Sequence, residues 1–314
     1  MSSNMLSLRR VKKYYGANKV LDGINLDIKN GEILGIIGPS GSGKTTFLRT
    51  IIGYIKPDSG EIIFHDKSKE VDILKNPDWI KKKYGFASQH ASFYLKLTVV
   101  ENLDYFGSLY KLSKEEKTKN INTLLELVEL DHARNILAKN LSGGMQRRLD
   151  IACSLIHSPD ILFLDEPTSD LDHVLAKNIW ALVKKINKKG TTIVVASHEL
   201  AEMETLCSRI GILHHGKFQH LGTIGELKKL IPNEQEIHIQ TYPGDYDKII
   251  QYLNEGSILK IENKISSLVI YTKSPQNVLK NLLILLPKTG ETLLDIKITK
   301  LQLSDVFTTV TKKK

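Results

Sequence analysis

The stretch Gly38-Pro39-Ser40-Gly41-Ser42-Gly43-Lys44-Thr45 constrains this chain more than any other. It fits the pattern G-x-x-x-x-G-K-[ST] without a mismatch. The residues before it, Ile33 to Ile37, form a short apolar run, and Thr45 to Ile52 reads as the helix that follows. A strand, glycine loop and helix in this order curl the backbone so that successive N–H groups face one anion. The helix N-terminus adds its dipole at the same point. Lys44 is then placed to reach the β- and γ-phosphates of a nucleotide, with the Thr45 hydroxyl on Mg²⁺ and Thr46 beside it. A loop that merely turned the chain would need neither the lysine nor this flanking context.

The surrounding pattern agrees with such a unit. Ile161 to Leu164 and Ile193 to Ala196 are continuous apolar runs, as strands buried on both faces require. Glu115 to Leu130 carries Ile121, Leu124, Leu125 and Val128 at helical spacing. Alternating strand and helix signals predict a parallel-sheet α/β domain. The pattern changes after about Leu221. Strand signals at Glu236 to Thr241, Ile258 to Ile261, Leu268 to Tyr271 and Leu294 to Ile298 are interleaved with helical ones at Tyr246 to Leu253 and Gln276 to Leu286. That order is βαββαβ, the split-βαβ or ferredoxin-like arrangement. The expected organisation is a main domain over 1–224 and a small α+β domain over 225–314.

Charge and cysteine content narrow the setting. The formal charge of +9 is spread along the chain as lysine rather than gathered in a block, so a solvated basic surface accounts for it. The cysteines, Cys153 and Cys207, allow no disulfide framework and no four-cysteine metal site. A reducing, cytoplasmic setting is expected. Met1 to Arg10 contains no apolar stretch of signal-peptide length. A spanning helix needs about 20 apolar residues, whereas the run Leu282 to Leu286 stops at Pro287. Any membrane role is therefore expected to need a partner.

Two further segments carry a family resemblance. Leu141-Ser142-Gly143-Gly144-Met145-Gln146 and Ile161-Leu162-Phe163-Leu164-Asp165-Glu166-Pro167-Thr168 follow the glycine loop in that order. Together the three resemble the ATP-binding subunit of an ABC transporter, over about Leu6 to Leu221. The resemblance implies a P-loop NTPase of the ABC type, with a helical subdomain over about 90–158. Bare, Ser142 is an N-cap whose following glycines leave backbone N–H groups uncovered. In the family that helix start binds the γ-phosphate of ATP held by the partner subunit, which implies a dimer with two shared sites. Asp165, carried to the end of a buried strand, would support Mg²⁺, and Glu166 resembles the general base for the attacking water. Tyr15 resembles the residue that stacks on adenine, with Tyr14 as the alternative. Gln89 looks like the glutamine that senses Mg²⁺ and the membrane partner, and His198 like the histidine on the γ-phosphate. Two positions depart from the family: Asp170, where a small residue is common, and His173, where many relatives have proline.

The resemblance thus implies an ATPase binding ATP and Mg²⁺. It would pair with a second copy of itself or a homologous ATPase subunit, and act at the cytoplasmic face of the membrane through a separate permease. Arg147-Arg148-Leu149, Leu97-Thr98-Val99 with Glu101-Asn102-Leu103, and the tail Leu303-Ser304-Asp305-Val306-Phe307 resemble the type-two exporter class. The rival readings are an importer subunit, which shares the chemistry, and a soluble ABC ATPase acting on ribosomes or nucleic acid. The tail lacks the RNA-binding signature, and Leu268-Val269-Ile270-Tyr271 offers one aromatic where base stacking needs more. No nucleic-acid partner is expected.

Overall fold

The computed structural model describes residues 3–66, 69–230, 235–253, 256, 258–299 and 303–312. The chain divides into two compact units between Ile224 and Gly225. The first begins with a long hairpin, β1 (Asn4–Tyr15) and β2 (Asn18–Lys29), followed by β3 (Ile33–Ile37) and α1 (Lys44–Ile51). Strands β4 (Ser59–Asp66) and β5 (Lys69–Asp72) and the short α2 (Pro77–Ile80) lead to β6 (Tyr84–Ala87). Then come α3 (Val99–Leu109), α4 (Lys114–Leu127), α5 (Gly143–Leu155), β7 (Ile161–Asp165) and α6 (His173–Lys188). The last elements of this part are β8 (Thr192–Ala196), α7 (Leu200–Leu206), β9 (Arg209–His214), β10 (Lys217–Gly222) and α8 (Ile224–Lys228), which spans the division.

A six-stranded sheet in the order β10-β9-β3-β8-β7-β6 forms the centre. Its strands run parallel except for β10, which pairs antiparallel with β9 at the edge. Every residue of β3, β7 and β8 is buried, which explains why these strands read as unbroken apolar runs. Because β8 lies between β3 and β7, the C-terminal ends of all three are brought side by side. Asp165 pairs with Ala196 and Ala87 with Leu164, so residues 89, 166 and 198 lie just beyond one edge of the sheet.

The α/β expectation omits a second sheet, the antiparallel β2-β1-β4-β5. Its strands carry bulges and Lys-rich solvent positions that blur the period-two pattern. Leu6, Leu8 and Val11 of this sheet share one core with Leu34 and Ile36 of the parallel sheet and Phe47 and Leu48 of α1. Between β6 and β7, α3 and α4 each begin with a capping box, Thr98 with Glu101 and Ser113 with Glu116. The predicted helix to Leu130 ends sooner, since Val128 caps α4 and Glu129 turns to φ 59°. Helix α5 lies hard against β6, because a Cβ on Gly85 would collide with the Ser154 carbonyl.

The second unit contains β11 (Gln235–Tyr242), α9 (Tyr246–Tyr252), β12 (Ile258–Lys264), β13 (Ser267–Thr272), α10 (Pro275–Thr289), β14 (Thr292–Thr299) and α11 (Leu303–Lys312). Its antiparallel sheet has the order β12-β13-β11-β14. Both the sequence of elements and this strand order are those of a ferredoxin-like fold. Ile237, Ile239, Leu268 and Ile270 from the sheet pack with Ile249, Val278 and Leu282 from the helices. Helix α10 continues past Pro287 to Thr289. Proline in a last turn removes only one intrahelical bond, and Gly290 then ends the helix at φ 77°. The tail segment Leu303 to Phe307 is the opening of a helix that the βαββαβ reading does not contain.

Each unit has its own apolar cluster. A chain ending at Ile224 is therefore expected to stay soluble and bind ATP, checked by gel filtration and nucleotide titration; aggregation would show that the tail completes the main core. The first unit also holds a half-buried imidazole. His157 stacks on Tyr110 at 3.6 Å and 9°, a ring N–H donates to the Tyr84 carbonyl at 3.0 Å, and Nδ1 is buried without a partner. Burial pulls its pKa from 6.5 to about 4. The unfolded chain binds the proton first, so stability should fall as pH drops from about 6.5 toward 4 and then level off. Melting temperatures of the native chain and His157→Phe between pH 7 and 4 should show a shallower pH slope in the variant.

Candidate active site

The end of β3 runs directly into residues 38–45, and the curl calls for glycine at 38, at 43 and at 41, where φ is 77°. A Cβ on Gly38 would collide with the Leu213 carbonyl and the Ser42 side chain. Gly43 has φ 98°, and a Cβ there would press on Val20. Pro39, Ser40 and Gly41 form the more open rim of the loop. The curl turns Lys44 inward, where its Nζ donates to the carbonyls of Gly38 at 2.9 Å and Pro39 at 3.3 Å. The same ammonium lies 3.7 Å from Oε1 of Glu166. The Ser42 hydroxyl oxygen is buried and has no hydrogen-bond partner.

Asp165 and Glu166 are neighbours with different surroundings. Asp165 is 1% exposed, and neither carboxylate oxygen has a hydrogen-bond partner. Burial raises its pKa; the Thr45 hydroxyl opposes this, Glu166 adds to it, and Arg49 and Lys44 oppose it. Thr45 is close enough to act on the carboxyl without making a hydrogen bond of ordinary geometry. An unpaired buried carboxylate is costly, so this pocket fits a hard cation, for which oxygen donors such as Asp165 and Thr45 are suited. Glu166 has φ 47°, and its N–H is held by the Ala196 carbonyl at 2.9 Å. That turn carries its carboxylate away from Asp165, toward Lys44 on one side and His198 on the other. Nδ1 of His198 is 2.8 Å from Oε2 of Glu166.

The structure thus joins Lys44, Thr45, Asp165, Glu166 and His198 at the ends of β3, β7 and β8. The other candidates stand apart from this cluster. Gln89 is exposed just past β6. Tyr15 is 50% exposed at the β1–β2 turn, with the Lys13 ammonium 5.5 Å from its ring, whereas the Tyr14 hydroxyl is engaged with Asp22 at 3.3 Å. Of the two tyrosines, Tyr15 keeps the more open ring. Ser142 caps α5 by accepting from the Met145 N–H at 3.4 Å. A Cβ on Gly143 or Gly144 would face Leu171 or Leu175, so this helix start packs near the turn 169–172 and the start of α6. Asp172 caps α6 by accepting from Val174 and Leu175 at 2.9 Å, and Asp170 is exposed beside it.

Asp150 is not picked out by any motif, yet it belongs to this region. It pairs with Arg147 at 3.1 Å, and its side chain is 0% exposed. The signal in the sequence is a charged residue three places after Arg147, inside the apolar stretch Leu149-Asp150-Ile151-Ala152.

A family model described as "ABC transporter" matches residues 21–169. The chain is 34% identical over 258 residues to the glucose import ATP-binding protein GlcV of Saccharolobus solfataricus, across 80% of this chain and 72% of that protein. It is 36% identical over 223 residues to the linearmycin resistance ATP-binding protein LnrL of Bacillus subtilis, across 71% of this chain and 70% of that one. Among solved structures it is similar to a dimeric post-hydrolysis state of an ATP-binding cassette bound to ADP and Pi. That match has a TM-score of 0.61 and 32% identity, over 70% of this chain and 99% of the other. With both curated relatives matched across more than two thirds of their length, the chain belongs to the ABC transporter ATP-binding proteins and is an ATPase subunit of that family.

Proposed function

We propose that the chain is the motor of a type-two exporter, in which two ATPase subunits share two ATP sites and drive a separate membrane permease. The observation that carries the hydrolytic part is the convergence of Lys44, Asp165 and Glu166 at adjoining strand ends. Lys44 binds the β- and γ-phosphates, exchanging its contacts with the Gly38 and Pro39 carbonyls for phosphate oxygens. Thr45 and Asp165, with Gln89, are the residues that would hold Mg²⁺, which neutralises charge on the phosphates when bound. Glu166 takes a proton from the water that attacks the γ-phosphorus, while the bond to the bridging oxygen of ADP breaks. His198 orients the Glu166 carboxylate through Nδ1. Tyr15 offers its open ring to adenine.

Export is favoured over import by Arg147-Arg148-Leu149 and the tail Leu303 to Phe307, and the relative named for linearmycin resistance fits an efflux role. The relative named for glucose import supports the second reading. No helix among the described residues is long and apolar enough to cross a membrane, so attachment to the membrane face would come through a permease with about six spanning segments. Co-purification with such a permease and ATP-driven accumulation of substrate inside inverted vesicles, whose lumen is the former cell exterior, without any binding protein would test the direction. Uptake that depends on an external binding protein would overturn it.

Two variants test the chemistry. Glu166→Gln should keep ATP affinity, lose at least about 10²-fold in hydrolysis, and accumulate as a closed dimer on gel filtration with ATP and Mg²⁺. A monomeric or normally active variant would remove Glu166 from the base role. Sharing of sites between subunits is read from mixed dimers. Lys44→Ala and Ser142→Arg should each be inactive alone, yet together should regain part of the rate. In the mixed dimer both defects fall in one site, and the other pairs an intact loop with an intact helix start. Absence of rescue with mixed dimers demonstrably formed, and no single-turnover hydrolysis, would mean that Ser142 does not serve the partner's loop.

A further inference from the structure

Arg147 places a charge where charge is expensive. Its side chain is 9% exposed and that of Asp150 is 0% exposed. Burial lowers the arginine's pKa, opposed by Asp150, Asp165 and Asp170. Burial likewise raises that of Asp150, opposed by Ser92 and Arg147. Apolar residues in place of such a pair are often neutral or stabilising. Stability alone is therefore a poor reason to keep it.

Its hydrogen bonds suggest another. Nε donates to the Pro167 carbonyl at 2.8 Å, and one terminal nitrogen donates to the Asp165 carbonyl at 3.3 Å. These two carbonyls flank Glu166. The other terminal nitrogen donates to the Ser88 carbonyl at 2.6 Å and to Asp150 Oδ2 at 3.1 Å. Ser88 directly precedes Gln89. Asp150 Oδ1 accepts from the Ser92 N–H at 2.9 Å and from the Ser92 hydroxyl at 2.8 Å, which fastens the far side of the Gln89 segment. Only a planar fork with several fixed donors can bind carbonyls of separate segments in this way.

We propose that Arg147, oriented by Asp150, is a positioning residue that sets Glu166 and the Gln89 segment against α5. The inference rests on the assignment of Glu166 as the base. Arg147 acts through the backbone on either side of Glu166. Since α5 begins at Ser142, the helix start offered to the neighbouring subunit and the hydrolytic carboxylate are held in one rigid frame. Misplacement of α5 at an imperfectly closed interface would then be felt at Glu166, so closure and hydrolysis are coupled within a single chain.

The test uses the full chain and two variants, in the native and the Glu166→Gln backgrounds. Arg147→Lys keeps the charge beside Asp150 but donates from one nitrogen, which cannot span the carbonyls. Arg147→Met with Asp150→Leu removes both charges and leaves no unpaired buried carboxylate. Binding of a fluorescent ATP analogue, single-turnover hydrolysis and melting temperature are measured for each. Arg147→Lys should leave ATP affinity within about twofold and lower the hydrolysis rate about tenfold or more. In the Glu166→Gln background the same substitution should change the residual rate by less than about twofold, since the group it positions is gone. A native rate in Arg147→Lys, or an equal fractional loss in both backgrounds, would overturn the proposal in favour of a purely structural pair. If the double substitution does not fold, Arg147→Lys alone decides. A Glu166→Gln chain that hydrolyses normally would instead overturn the base assignment beneath it.

Discussion

The active half of this molecule depends on one buried ammonium group. Lys44 sits at the start of α1 with its charge away from bulk water, and a buried charge persists only when it is paired and hydrogen-bonded. Gly38 and Pro39 supply carbonyls, and Glu166 supplies a carboxylate. Each partner has a structural precondition. The carbonyls point inward because the loop curls, which glycine at 38 and 43 permits. The carboxylate arrives because β7 lies one strand away from β3, across β8. Strand order, loop composition and the placement of the acid thus answer to the same electrostatic requirement.

Much of this was legible in the residues. Continuous apolar runs mark β3, β7 and β8 because strands buried on both faces have no polar side to alternate with. The glycine loop, Asp165 and Glu166 each follow such a run, which is why the sequence already places these candidates at neighbouring strand ends. Less visible was the antiparallel sheet of β1, β2, β4 and β5, whose half-exposed strands carry lysines and bulges. The link between Lys44 and Glu166 joins residues more than a hundred positions apart, and no local pattern encodes it. Asp150 was hidden as well: beyond Arg147, its partners are the N–H and hydroxyl of Ser92, far away in the sequence.

The second unit shows the reverse balance. Its elements are short, yet alternation in β11, the apolar run of β13 and helical spacing in α9 and α10 place all six in order. Strand β11 has one apolar face, with Ile237 and Ile239, whereas Leu268, Val269 and Ile270 bury both faces of β13. Helix α11 is hard to foresee because its opening residues resemble a short family motif as well as the first turn of an amphipathic segment. Leu303 and Val306 are its fully buried side chains, three residues apart as one helix face requires.

The backbone of Glu166 carries a last consequence. A non-glycine residue at φ 47° sits in a region that costs on the order of 1–3 kcal/mol. The molecule therefore gives up folding free energy at the residue proposed as its general base. Glycine at this position would relax the turn and delete the carboxylate in one step, so a chain selected for thermal resistance alone would drift toward inactivity here. On that assignment, function rather than durability keeps a side chain on that turn.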